Sequence, residues 1–178
     1  MIKKILVALD GSTQAGKAVD LAVDMAKALN AELAFIHIIS DKPLAEGERR
    51  LTKTEYATEI AQALSGSEVA VGPGSTQTDP ESLLRTSYKV GLAIRMVIGR
   101  RIVERTEQDA RKKGVDSVTT MLADGDPAAM IVDTADREKP DLLIMGSRGL
   151  SGIRELFMGS VSHNASRSAP CSVVIVKS

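Results

Sequence analysis

Asp141-Leu142-Leu143-Ile144-Met145-Gly146-Ser147-Arg148-Gly149, followed after nine residues by Gly159-Ser160-Val161-Ser162, is the stretch that decides the fold. Its apolar run, 142–145, is short and uninterrupted, as expected of a strand buried on both faces of a parallel sheet. It halts at glycine. The spacing G-x2-G-x9-G-S then leads to a helix start near Ser160. Glycines at a strand end allow positive φ and close approach to a ligand, while a helix N-terminus offers unpaired N–H groups and the positive end of its dipole to phosphate oxygens. Ser160 adds a hydroxyl donor. Turn chemistry explains any one of these glycines, but three of them with a hydroxyl and a helix start behind a buried strand read as a nucleotide phosphate cradle.

Outward from this stretch the same alternation recurs. Ile5-Leu6-Val7-Ala8-Leu9 stops at Asp10-Gly11-Ser12, after which Ala15, Val19, Ala22, Ala26 and Leu29 fall on one helical face. A second apolar strand covers 33–39. Towards the end of the chain the pattern predicts a strand over 115–122, a helix from Pro127 capped by Asp126, the strand 142–145, the helix near Ser160, and a strand over 172–176. Five strands make one open, mostly parallel sheet with helices on both faces, a Rossmann-like α/β fold. In that arrangement the first and fourth strands are neighbours where strand order reverses, and ligands of open α/β sheets sit outside the carboxyl ends there. Asp10 and Gly146 both fall at that place.

The middle of the chain is less regular. Residues 54–64 read as a helix, and 65–79, rich in Gly, Ser, Thr and Pro, as a mobile loop. Asp79-Pro80-Glu81 then supplies an N-cap, an N1 proline and a first-turn acid for a long helix that runs towards Lys113 with Gly114 as its stop. Gly91 and Gly99 mark places where it can break. Residues 90–103 are apolar nearly all round, which predicts either packing beneath something else or a contact between chains. The expectation is one domain over residues 1–178 with an inserted loop and helical segment at about 41–114.

Composition narrows the function. A chain of 178 residues can bury about 70% of its unfolded surface, enough for a single core. Lys+Arg and Asp+Glu both number 23, so no net field attracts nucleic acid or an anionic membrane. The stretch 90–103 is too short to cross a bilayer and carries Arg95, Arg100 and Arg101, so membrane insertion is not expected. Cys171 is the only cysteine, and the apolar run at Ile5 follows no leader pattern, which together fit a cytoplasmic protein.

These motifs resemble the universal stress protein family. The opening from Ile5 to Ser12, the Gly125-Asp126-Pro127 turn, the run from Asp141 to Gly149 and the closing Ala169-Pro170-Cys171-Ser172-Val173-Val174-Ile175-Val176 are similar to its signatures. The glycine spacing resembles its ATP-binding branch. The resemblance covers the chain except for about 41–114, and it implies strand order 3-2-1-4-5, homodimerisation through the C-terminal edge strand, and ATP, AMP or ADP as ligand, with Mg accompanying the phosphates. It also implies that Ala8, Asp10 and Ile38 lie against adenine and ribose, and that Gly146, Arg148, Gly149, Gly159, Ser160, Val161 and Ser162 surround the ribose and phosphates.

Several residues invite a different assignment. Gly11-Ser12-Thr13-Gln14-Ala15-Gly16-Lys17 fits the G-x4-G-K of a P-loop, but position 18 is Ala where that loop needs a Ser or Thr for Mg²⁺. Ser12 reads instead as a helix cap. Asp10 either contacts the ligand or simply ends its strand and favours the next helix N-terminus; Arg148 either balances phosphate charge or is solvated. His37 reads as a packed, hydrogen-bonded core histidine, His163 as a first-turn helix residue, and Cys171 as a small buried hydrophobe. A phosphate cradle without an identifiable general base points to a nucleotide-dependent switch or sensor, able to act on a further protein partner, and the resemblance implies that it serves a stress response. The alternative is a slow ATP-hydrolysing or adenylyl-transferring enzyme at the same site, for which Asp10 and Arg148 are the only candidates.

Overall fold

The computed structural model describes residues 1–40, 58, 61–62, 80–150 and 158–177, with residues 80–87 and 89 described by backbone alone. The chain order is β1 (Lys4–Leu9), α1 (Thr13–Leu29), β2 (Glu32–Ile39), α2 (Pro80–Lys112), β3 (Val118–Asp124), α3 (Pro127–Glu138), β4 (Leu142–Gly146), α4 (Ser160–Ser168) and β5 (Ser172–Val176). The strands form one sheet in the order β3-β2-β1-β4-β5, as the resemblance implies. Every neighbouring pair is parallel. Chain direction therefore reverses its progress across the sheet between β1 and β4, and the carboxyl ends of all five strands lie along one rim.

Both faces of the sheet are covered, which is why the central strands β1, β2 and β4 are almost continuously apolar, whereas the edge strand β3 alternates. On one face Ile5, Val7, Leu33, Phe35 and Ile144 pack against α1 and α2. On the other, Leu6, Ala34, Ile36, Leu143 and Met145 meet Ile131 and Ala135 of α3 and Ala165 of α4. Helix α1 begins where Ser12 Oγ accepts the Ala15 N–H, and ends at Asn30 in the left-handed conformation. Its buried face is Ala15, Ala18, Ala22, Val23 and Ala26. Leu29, although in phase with Ala22, is 42% exposed; as the last helical residue it stands past the packed face.

The long middle helix is present as expected, from Pro80 to Lys112. It is continuous across Gly91 and Gly99, and at Gly99 it packs on His37 of β2 and Leu122 of β3. Of the two readings of residues 90–103, packing beneath other elements holds for Ile98, Ile102 and Val103, which belong to the main core, whereas Met96 is exposed. The expected stop is present: Gly114 has a φ of +90°, and the Val115 N–H reaches back to the Ala110 carbonyl. That bond keeps Val115 in the turn, so β3 starts at Val118 rather than at 115. Of the 54–64 helix only residues 58, 61 and 62 are described, all helical; the 65–79 loop lies outside the described residues. No helix among the described residues is long and apolar enough to cross a membrane.

Candidate functional site

A cavity of about 370 Å³ opens at the carboxyl rim over the junction of β1 and β4. Its volume lies in the range of small-ligand sites. All ten residues singled out from the sequence line it: Ala8 and Asp10 from the end of β1, Ile38 from β2, Gly146, Arg148 and Gly149 from the loop after β4, and Gly159, Ser160, Val161 and Ser162 from the start of α4. The cavity has an apolar region built from Ile36, Ile38, Ile131 and Met145, and a polar end formed by the glycine loop and the α4 N-terminus.

The polar end owes its shape to helix geometry. Gly159 is the N-cap of α4 with no side-chain cap bond, and the first intrahelical bond runs from the His163 N–H to the Gly159 carbonyl. The N–H groups of Ser160, Val161 and Ser162 precede that bond, so the helix itself satisfies none of them. Ser160 is exposed and lines the cavity, but Ser162 is buried and its Oγ is 2.9 Å from the Ser147 carbonyl and 3.0 Å from that of Gly159. Ser162 thus offers a ligand its amide rather than its hydroxyl.

The three motif glycines do not use the positive φ that the sequence suggests. Among the described residues, positive φ at glycine occurs only at Gly11, Gly114 and Gly125. The protein's own packing excludes a side chain at Gly146 and Gly149 and leaves little room for one at Gly159. A β-carbon on Gly146 would lie 2.9 Å from Gln14 Cβ, one on Gly149 would collide with Asp10 Oδ2, and one on Gly159 would lie 3.3 Å from the Ser147 carbonyl oxygen. Loss of side chains lets α1, the loop and α4 close around the cavity, and that tertiary cause could not be seen from the spacing.

Asp10 is engaged at both oxygens. Oδ1 accepts the Ser12 N–H at 2.9 Å and Oδ2 accepts the Leu150 N–H at 3.0 Å. Asp10 lines the cavity and also organises the turn before α1. Arg148 is half-buried at the same rim. His37 is buried, with Nδ1 2.9 Å from the Leu9 carbonyl, and it too borders the cavity. His163 is exposed, and the described residues hold no group of three or more side chains able to bind a metal ion. Cys171 is half-buried, and burial pushes its thiol above the ordinary value. Lys17 is exposed on α1 and does not line the cavity, while Ser12 is committed to its cap, so the P-loop-like string is a helix start.

Sequence reasoning missed Pro127, Ile131, Leu150 and Ser40, all of which line the cavity. A signal existed for three of them. Ser40 follows the carboxyl end of β2, and Pro127 and Ile131 stand one turn apart at the start of the helix that follows β3.

An open, doubly wound α/β sheet with a cavity at its topological switch point and a helix N-terminus on the rim defines the class of protein. The chain belongs to the universal stress protein family, whose profile matches residues 1–177. It is 33% identical over 180 residues to the universal stress protein YxiE of Bacillus subtilis, covering 99% of this chain and 100% of that one. Among solved structures, UspA from Lactobacillus plantarum superposes with a TM-score of 0.69 at 19% identity, covering 98% of this chain and 97% of that one. An Archaeoglobus fulgidus universal stress protein in complex with dAMP gives a TM-score of 0.55 at 19% identity, over 99% and 100% of the two chains. An Arabidopsis thaliana universal stress protein family member with AMP bound gives 0.56 at 18% identity, over 98% and 91%.

Proposed function

We propose that this chain is a nucleotide-dependent switch or sensor of the stress response, in which ATP, ADP or AMP occupies the switch-point cavity and biases shape or partner choice. The observation that carries this reading is that the cavity joins apolar side chains to an amide-lined end at the α4 N-terminus suited to anionic oxygens. The dAMP- and AMP-bound relatives support the ligand class. Asp10 is the only carboxylate among the described lining residues, and its oxygens already accept backbone N–H groups. A Mg²⁺ ion accompanying the nucleotide would therefore be held by the phosphates and water rather than by a protein cage. The same engagement argues against Asp10 as a general base, which favours binding over rapid turnover. A homodimer paired along the β5 edge completes the proposal, with the cytoplasm as its setting.

Calorimetry with Mg-ATP, with native mass spectrometry of the purified protein, tests the reading. One adenine nucleotide per chain, lost in Gly149→Val, is the expected result. Undiminished binding in that variant, or no binding by the wild-type protein, overturns it.

A further inference from the structure

The loop after β4 is fastened at two points. At the first, Ser147 donates its N–H to the Val176 carbonyl at 2.8 Å, and its own carbonyl accepts the Gly159 N–H at 2.8 Å and the Ser162 hydroxyl at 2.9 Å. At the second, the Leu150 N–H donates to Asp10 Oδ2. Arg148 and Gly149 form the span between the two. The second fastening closes only because position 149 has no side chain: a β-carbon there would occupy the space of Asp10 Oδ2. Asp10 is itself held in place, since its other oxygen accepts the Ser12 N–H at the cap of α1.

The geometry points to Asp10 as a positioning residue, a latch that holds Gly149 and Leu150 against the end of β1 so that the loop and the first amides of α4 converge on one end of the cavity. On this assignment Asp10 governs how phosphate is received, through the loop that it holds. The inference rests on the nucleotide reading above and deepens it. It has a specific consequence: breaking the latch weakens ligands in proportion to what they ask of the phosphate end, and leaves the nucleoside almost untouched. Gly149 and Asp10 also act through one contact, so damage at either is the same damage.

The test compares Asp10→Ala, Gly149→Ala and the double variant by calorimetry with adenosine and Mg-ATP. Each single variant is expected to weaken ATP by about tenfold, the scale of a lost hydrogen bond to a charged group, with adenosine unchanged within about twofold. The double variant is expected to be no weaker than the weaker single, because two changes to one contact do not add. Equal losses for adenosine and ATP overturn the assignment and make Asp10 a direct ribose contact. Additive losses overturn it as well. Asp10→Asn guards against misfolding: it retains one acceptor but faces the second N–H with an amide, so the Leu150 amide should exchange faster than in the wild-type protein. Unchanged Leu150 exchange rejects the latch. If the wild-type chain takes neither adenosine nor ATP, the nucleotide reading fails, and Leu150 exchange alone decides the latch.

Discussion

Gly99 of α2 lies directly over the imidazole of His37: a β-carbon on Gly99 would stand 2.7 Å from His37 Cδ2 and 3.1 Å from Nε2. The helix can descend onto β2 only because this position is bare. Gly91, two turns earlier, has no such neighbour, since its β-carbon would meet only Arg95 Nη1, at 3.5 Å. Gly99→Ala should therefore destabilise the protein, because overpacking costs about 1–3 kcal/mol against the ~1 kcal/mol of helix propensity gained. Gly91→Ala keeps the gain alone and should stabilise by up to about 1 kcal/mol. Urea midpoints of the two variants decide the matter, and equal shifts would refute the contact.

Lys17 supplies a second prediction. The Gly16 N–H bonds the Ser12 carbonyl at 3.0 Å and Ser12 Oγ accepts the Ala15 N–H at 3.1 Å, so residues that mimic a phosphate loop are spent on starting a helix. Lys17 is exposed and away from the cavity. Lys17→Ala should change ATP affinity by no more than about twofold, as for an ordinary surface substitution. A loss of about a hundredfold, near 3 kcal/mol, would restore the phosphate-loop assignment.

Acid stability should depend on Asp141. Its Oδ2 accepts the backbone N–H groups of Lys3 at 2.6 Å and Lys4 at 3.0 Å, which hold the carboxyl below its ordinary value of 3.8. A carboxyl depressed in the folded state contributes stability above its unfolded value and loses that contribution as pH falls through the folded one. The advantage of the wild-type protein over Asp141→Asn should thus be constant at neutral pH and shrink below about pH 4. Denaturant titrations across that interval test it; an advantage that grows on acidification would be the wrong sign.

Local signals carried most of the architecture. The β1 run, the Ser12 cap, the Asp126-Pro127 helix start and the Gly114 stop each depend on residues within a few positions of one another, so they were legible. The cavity lining was legible too, because strand ends and a helix start imply it. What could not be read was why the motif glycines are bare, since the answer lies with Gln14, Asp10 and Ser147, which chain folding brings to them. The fate of the Ser162 hydroxyl was hidden for the same reason. Helix α2 showed apolar residues on every side, and only the sheet beneath Ile98 and Ile102 selects the buried face.

The edge strand carries the last prediction. Ser147 donates to the Val176 carbonyl, which turns the backbone of Val176 towards β4; with the two-residue period of a strand, Val174 and Ser172 face the same way. Val173 and Ile175 then present their N–H and C=O groups to the open side of β5, the last strand in the sheet order. Such an edge invites a second copy, and a twofold axis allows two β5 strands to complete each other in a closed contact. Light scattering should give about twice the 18.9 kDa chain mass. Proline is tolerated where the lost N–H points away from the sheet, so Ile175→Pro should yield a folded monomer by removing an edge donor. Val174→Pro removes a hydrogen bond of the ladder to β4 instead and should lower stability. A wild-type monomer at micromolar concentration would reject the dimer. A dimer that survives Ile175→Pro would move the interface away from β5, and the exposed Met96 of α2 is the next place to substitute.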